Sequence, residues 1–237
     1  MSTRPTERSV IVPEFRVAGS EQLSMQLVED LNVACDAAEE AAGREPLVLH
    51  LGGTDPERTE SAEVDVHVVN KWERALRRVE RIGAVTIALA RGTCTGAALE
   101  ALLCCDHRIA APGTTFALPV LGATPWPGMA LHRLTTQLGI ARARQLSLLV
   151  PQLDTDRAVE LGLVDELTDD PDAALATLLS RVGEVAPAEL AIRRRLLLDA
   201  AATGFDEALG AHLAACDRTL RHEQGVTPAE PFPQPQW

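Results

Sequence analysis

The chain has 237 residues, 46% of them hydrophobic, enough for one domain at the large end or a domain with an appended helical segment. Four Phe, three Trp and no Tyr are too few for a single-strand stacking platform, and a net charge of -12 has the wrong sign for neutralising phosphates, so no nucleic-acid partner is expected. No apolar run reaches the length of a membrane span and residues 1–10 lack the apolar core of a signal peptide, which leaves a soluble, cytoplasmic protein without a membrane partner as the expectation.

Residues 9–18 predict a short strand. Over 21–42, Leu23, Leu27, Leu31 and Ala34 recur at helical spacing. Leu47 to Leu51 read as a strand ending at Gly52-Gly53, followed by a polar loop over 53–63. A helix is predicted over 66–82, with Val69, Trp72, Leu76 and Val79 on one side. Ala84 to Ala90 reads as a buried strand stopping at Gly92. Ala97 to Cys105 reads as a helix, apolar on nearly all sides apart from Glu100, and 108–111 as a short strand. Strands alternating with helices imply crossovers and a mainly parallel sheet. Beyond this, 130–138, 141–150, 155–161, 171–183, 187–202 and 205–222 read as helices, with Asp154 capping one and Gly162 ending it. The chain thus divides into an α/β core over 1–128, a helical segment over 129–227 and a Pro-rich tail over 228–237.

The five cysteines, at 35, 94, 104, 105 and 216, show no Cys-x-x-Cys pair and no zinc-like spacing. Cys104 and Cys105 sit in an apolar run and read as buried thiols. His212 and Cys216 are four apart, which fits a partly buried helical face better than a metal site, and no metal is expected. No Ser-His-Asp or Gly-x-Ser-x-Gly signature is present.

The informative stretch is Arg91-Gly92-Thr93-Cys94-Thr95-Gly96-Ala97-Ala98-Leu99-Glu100, where a buried strand passes through a glycine-containing loop into a helix. Small residues allow a ligand close to the backbone, and the first free N–H groups of a helix can hold an oxygen on which negative charge develops. Glu100 lies about one turn in, amid Leu99, Ala101, Leu102 and Leu103. Burial there raises a carboxyl pKa and the helix dipole lowers it. Two readings stand side by side: a tuned proton-transfer group, or a carboxylate paired with an Arg beside a tight loop.

This stretch resembles the enoyl-CoA hydratase/isomerase, or crotonase, superfamily. Its members carry an Asn-Gly-x-x-x-Gly-Gly-Gly-x-Glu-like run after a strand, then an apolar helix ending in Cys-Asp. Residues 91–106 follow that run, with Arg91 for Asn and Ala97 and Ala98 for two Gly, while Glu100, Cys105 and Asp106 match. Arg108-Ile109-Ala110, Phe116-Ala117-Leu118-Pro119, Trp126-Pro127-Gly128 and the segment 139–165 continue the resemblance in order over roughly 8–200. The resemblance implies an α/β fold of the ClpP/crotonase-like type: a mainly parallel core of ββα units with a C-terminal helical segment, commonly assembled as a homotrimer or hexamer.

It also implies a site. Two backbone N–H groups form an oxyanion hole for the thioester carbonyl of an acyl-CoA, with coenzyme A present only as part of the substrate and no other cofactor. The second donor falls on Ala97. The first falls on Val64, within Ser61-Ala62-Glu63-Val64-Asp65. Ala62, Gly96, Val120 and Trp126 would line the substrate. The first catalytic Glu of a hydratase falls on Glu100, whereas the second falls on Val120, which cannot exchange a proton. Arg58 or Arg91 would take the place of Lys at the CoA phosphates. Within the superfamily, this pattern is similar to the crotonase-like auxiliary proteins of 3,5-dihydroxyphenylglycine biosynthesis in actinomycetes. These assist a type III polyketide synthase in dehydration and aromatisation toward 3,5-dihydroxyphenylacetyl-CoA, on the way to glycopeptide antibiotics. The alternatives are a non-catalytic scaffold partner of the synthase and an ordinary enoyl-CoA hydratase.

Overall fold

A computed structural model describes residues 12–19, 21–53, 64–118, 120–121, 124–126, 128–149 and 152–223. Five strands form its parallel backbone in the order β1 (Glu14–Val17), β2 (Leu47–Gly53), β3 (Thr86–Thr95), β4 (His107–Ala110) and β9 (Glu166–Leu167). Helix α1 (Met25–Glu40) crosses from β1 to β2, and α2 (Val66–Arg81) from β2 to β3. Both begin as their sequences dictate. Ser24 accepts a hydrogen bond from the Leu27 N–H at 3.2 Å, and Asp65 from the Val68 N–H at 2.8 Å, satisfying donors that a helix start leaves unpaired.

The near-continuous apolar run of β2 follows from cover on both faces. Leu47, Leu49 and Leu51 join the main core with α1 and α2, while Val48 packs with Ile87, Leu89 and Ile109 beneath α7 (Pro171–Gly183), through Leu175, Leu178 and Leu179. Trp72 is the largest fully buried side chain, tilted at 42° to Phe15 with ring centroids 6.5 Å apart.

Strand β3 runs further than the expected stop at Gly92. Its first part pairs with β2 and β4, and from Thr93 to Thr95 it pairs with β5 (Thr115–Ala117), so backbone pairing carries the strand through the glycine. Gly96, at φ +54°, then turns the chain into α3 (Gly96–Leu102), shorter than the predicted helix. The tail of α3 is fastened. The Leu103 carbonyl accepts hydrogen bonds from Gln137 Nε2 at 2.7 Å and Arg108 Nη2 at 3.3 Å. Asp106 accepts from the Thr86 N–H at 2.8 Å, tying the exit of the helix to the start of β3.

Two-residue strands β6 (Val120–Leu121) and β7 (Thr124–Pro125) form an antiparallel pair. Helix α4 (Ala130–Leu138) follows, and α5 (Ile140–Arg144) runs into a π-helical turn over Gln145–Leu149 where one straight helix is expected. Strand β8 (Leu153–Asp154) pairs with β5, and Asp154 caps α6 (Thr155–Leu161), which ends at Gly162 with φ +77°. Helices α8 (Pro187–Ala200) and α9 (Phe205–Glu223) complete the described chain. Contacts divide the chain into one compact unit ending at Ala191 and a second beginning at Ile192, rather than at 128/129. The reason is visible in the sheet: β8 and β9 return to strands of the first half, so 129–167 belongs to the α/β core.

His212 and Cys216 are both exposed on α9, against the partly buried face expected for them. Cys104 and Cys105 are buried, as expected. Among the described residues no helix is long and apolar enough to cross a membrane, and no three His, Cys, Asp or Glu side chains are grouped to hold a metal ion.

Candidate active site

Glu100 is 4% exposed on α3, and its two carboxylate oxygens have different surroundings. Oε2 accepts a hydrogen bond from the Trp72 indole N–H at 2.8 Å. Oε1 is buried with no hydrogen-bond partner among the described residues. It lies against Gly128: a Cβ on that residue would fall 2.7 Å from Oε1 and 2.8 Å from Trp126 Nε1. The absence of a side chain at 128 therefore lets the carboxylate and the Trp126 indole edge share one small space.

Burial pushes the Glu100 pKa up from 4.5 to about 7. The Trp72 hydrogen bond opposes this by favouring the anion. The charge of Glu73 adds to the rise and that of Arg133 works against it. Burial thus outweighs the two groups that favour the anion, Trp72 and Arg133. The ion-pair reading is resolved as well. Arg133, 6% exposed on α4, is held by Glu73 at 2.8 Å and Glu80 at 2.8 Å, both from α2, and Glu100 is left to an indole.

The remaining predicted residues fall around this carboxylate in part. Gly96 and Ala97 form the head of α3, just ahead of Glu100. Ala97 has helical backbone geometry, so its Cβ is accommodated and its N–H remains a first-turn donor. Val64 directly precedes Asp65, the N-cap of α2, the helix that carries Trp72 to Glu100. Trp126 meets Glu100 across Gly128. Val120 belongs to β6, with its backbone paired to Pro125. Ser61, Ala62, Glu63 and Arg58 lie outside the described residues. Arg91 forms an ion pair with Asp172 at 2.8 Å, so its guanidinium is already engaged on the α7 side.

Sequence reasoning placed Trp72 only on an apolar helix face. The available signal was the residue type: a buried Trp usually finds a partner for its N–H. Arg133 and Glu73 carried no comparable signal, because their pairing joins helices 60 residues apart.

The site is thus a buried carboxylate on a short helix that leaves a parallel strand, beside Gly128 and Trp126. The sequence profile of the enoyl-CoA hydratase/isomerase family matches residues 48–224. The chain is 46% identical over 209 residues to an enoyl-CoA-hydratase of Amycolatopsis orientalis, covering 88% of this chain and 96% of that protein. It is 29% identical over 165 residues to a crotonyl-CoA hydratase of Syntrophomonas wolfei, covering 65% of this chain and 62% of the relative. In three dimensions it superposes on an enoyl-CoA hydratase/isomerase family protein from Silicibacter pomeroyi with a TM-score of 0.75 at 18% identity, over 87% of this chain and 93% of that one. The chain belongs to the enoyl-CoA hydratase/isomerase family and has the crotonase fold. Enzymes of this kind need no cofactor beyond the coenzyme A that their substrate carries.

Proposed function

We propose that the protein interconverts 3-hydroxyacyl-CoA and 2-enoyl-CoA thioesters, with Glu100 as the single proton-transfer group. The observation that carries this reading is the buried carboxyl whose Oε1 has no hydrogen-bond partner among the described residues and whose pKa stands at about 7. A group poised near the working pH can both take and return a proton. In the dehydrating direction, the Glu100 carboxylate takes the proton from Cα. The electron pair left behind forms an enolate, its charge on the thioester oxygen held by the N–H groups of Val64 and Ala97. The enolate then expels the β-hydroxyl, which recovers the proton from Glu100 and leaves as water. One C–H and one C–O bond break, one C=C bond forms, and Glu100 returns to its starting state. The reverse sequence adds water.

This one-carboxyl scheme suits a chain with Val120 where a hydratase of the family carries its second Glu. Ala62, Gly96, Val120 and Trp126 would line the acyl group in it, and a homotrimer or hexamer is the assembly in which it would operate. The test is turnover of short-chain enoyl-CoA and 3-hydroxyacyl-CoA esters by the purified full chain, monitored through the conjugated thioester. Absence of turnover in both directions overturns the reading.

The loss of the second carboxylate favours a second reading. The same chemistry would act on a polyketide-derived acyl-CoA, assisting a type III polyketide synthase in dehydration and aromatisation toward 3,5-dihydroxyphenylacetyl-CoA. Product analysis of a reconstituted synthase with and without this protein tests it. A product unchanged by the protein rejects it, and an effect that survives Glu100→Gln assigns the protein a scaffold role instead.

A further inference from the structure

Resting on the reading of Glu100 as the proton-transfer group, we infer that Trp72 is a positioning residue: it reserves Oε2 of Glu100 and leaves Oε1, facing Gly128 and Trp126, as the one oxygen through which the proton passes. The indole N–H is a donor with no acceptor capacity. At 2.8 Å it occupies one acceptor site of Oε2 and makes that oxygen the less basic of the two, so a proton goes preferentially to Oε1, which accepts no hydrogen bond among the described residues. Protonated Glu100 therefore carries its hydrogen on Oε1.

Trp72 is suited to this task by its setting. It is 1% exposed, tilted against Phe15, and one helical face with the buried Ala75, Leu76 and Val79. Packed on all sides, the ring holds its N–H in one direction. Among the described residues the indole is the sole hydrogen-bond partner of the Glu100 side chain.

The charged and titratable groups bearing on Glu100 are Glu73 from α2 and Arg133 from α4. Arg133 is itself shared between Glu73 and Glu80, next to the buried Cys104 thiol. None of these supplies a hydrogen bond to the Glu100 carboxylate, so the indole donor is the local device that favours its anion through direct contact. Removing that donor must shift Glu100 toward its neutral form, and its titration must move to higher pH.

The experiment titrates Glu100 in the full chain by difference infrared spectroscopy against Glu100→Gln, following the carboxylic-acid stretch in the wild type and in Trp72→Phe. The Phe variant keeps a large apolar ring and loses the donor. The Glu100 midpoint should rise by about one pH unit or more, the scale set by one hydrogen bond to a charged group. Turnover should follow, with its rising limb displaced to higher pH, kcat at neutral pH lowered about tenfold and KM changed less than about twofold. If Trp72→Phe does not fold, the isosteric benzothienylalanine placed at position 72 removes the same N–H with the shape intact. A Glu100 midpoint that stays or falls in the folded variant overturns the inference and makes Trp72 a packing residue. A midpoint that rises in a protein whose wild type turns over no acyl-CoA leaves the positioning role standing and rejects the proposed reaction.

Discussion

Two carboxylates shielded from water, one buried and one partly buried, take opposite courses. Glu80 of α2 suffers desolvation, which pushes its pKa up, but hydrogen bonds and charge from Arg77 and Arg133 outweigh it and the net shift is downward. Glu100 of α3, more deeply buried, also suffers desolvation, receives one neutral indole donor instead, and ends well above its ordinary value. The difference teaches that burial alone does not decide whether a carboxyl becomes structural or reactive. The kind of partner decides it. A guanidinium fixes the anion as one half of an ion pair, whereas an indole orients the group and leaves its proton exchangeable. Helix α2 supplies both environments, presenting Trp72 to one carboxyl and carrying Glu73 and Glu80 to Arg133.

The largest effect expected from breaking this contrast is on turnover. Glu100→Gln should lower kcat by about two to four orders of magnitude while leaving the fold intact. Glu80→Gln should leave kcat within about threefold and lower stability instead; steady-state kinetics and thermal melts on the pair separate the two roles. Next comes Arg133→Met, which takes the shared cation from Glu73 and leaves Glu80 with Arg77. A loss of about 3–5 kcal/mol in urea unfolding is expected, the range for removing one partner from a buried ion pair.

The titration contrast itself is sharpened by pH. The folded-state pKa of Glu100 is raised to about 7 from 4.5, so between those values the folded chain holds a proton that the unfolded chain has released. Its contribution to stability is present below about pH 4.5 and is lost as pH rises toward 7. Glu100→Gln removes that dependence, and the stability of the variant relative to wild type should climb by about 3 kcal/mol between pH 4 and pH 8, read from urea midpoints. The smallest effect belongs to Gly128→Ala. Its new methyl group would fall 2.7 Å from Glu100 Oε1, so the carboxyl or the Trp126 ring must move. A fall in kcat approaching about a hundredfold is expected from a displacement on the order of 1 Å, with little change in melting temperature.

Much of the frame was legible in the sequence, because the long elements carry strong periodicity. α2 was expected over 66–82 and runs Val66–Arg81, and the core of β2 begins at Leu47 as read. The short strands β5 to β9 were not legible, since two or three residues cannot show a period. Gly92 read as a stop because local propensity cannot see that β5 will arrive to continue the pairing. At the site, Glu100 stood out as a lone charge in an apolar helix. Its partner did not, because Trp72 lies 28 residues away and meets it only once α2 packs over α3. The Arg that the sequence offered as a partner does exist nearby, but Glu73 and Glu80 claim it first.

Helix α3 is seven residues long and is pinned at both ends: its head emerges from β3 through Gly96, and its tail is gripped at the Leu103 carbonyl by Arg108 and Gln137. So short a lever has almost no bending freedom, and the coordinates of its carboxyl are inherited from the sheet. Loops that do not touch Glu100 can therefore be rebuilt, lengthened or exchanged without re-aiming its carboxyl. In such a layout the choice of acyl group and the delivery of the proton are separately adjustable, and a change of substrate need not cost the protein its chemistry.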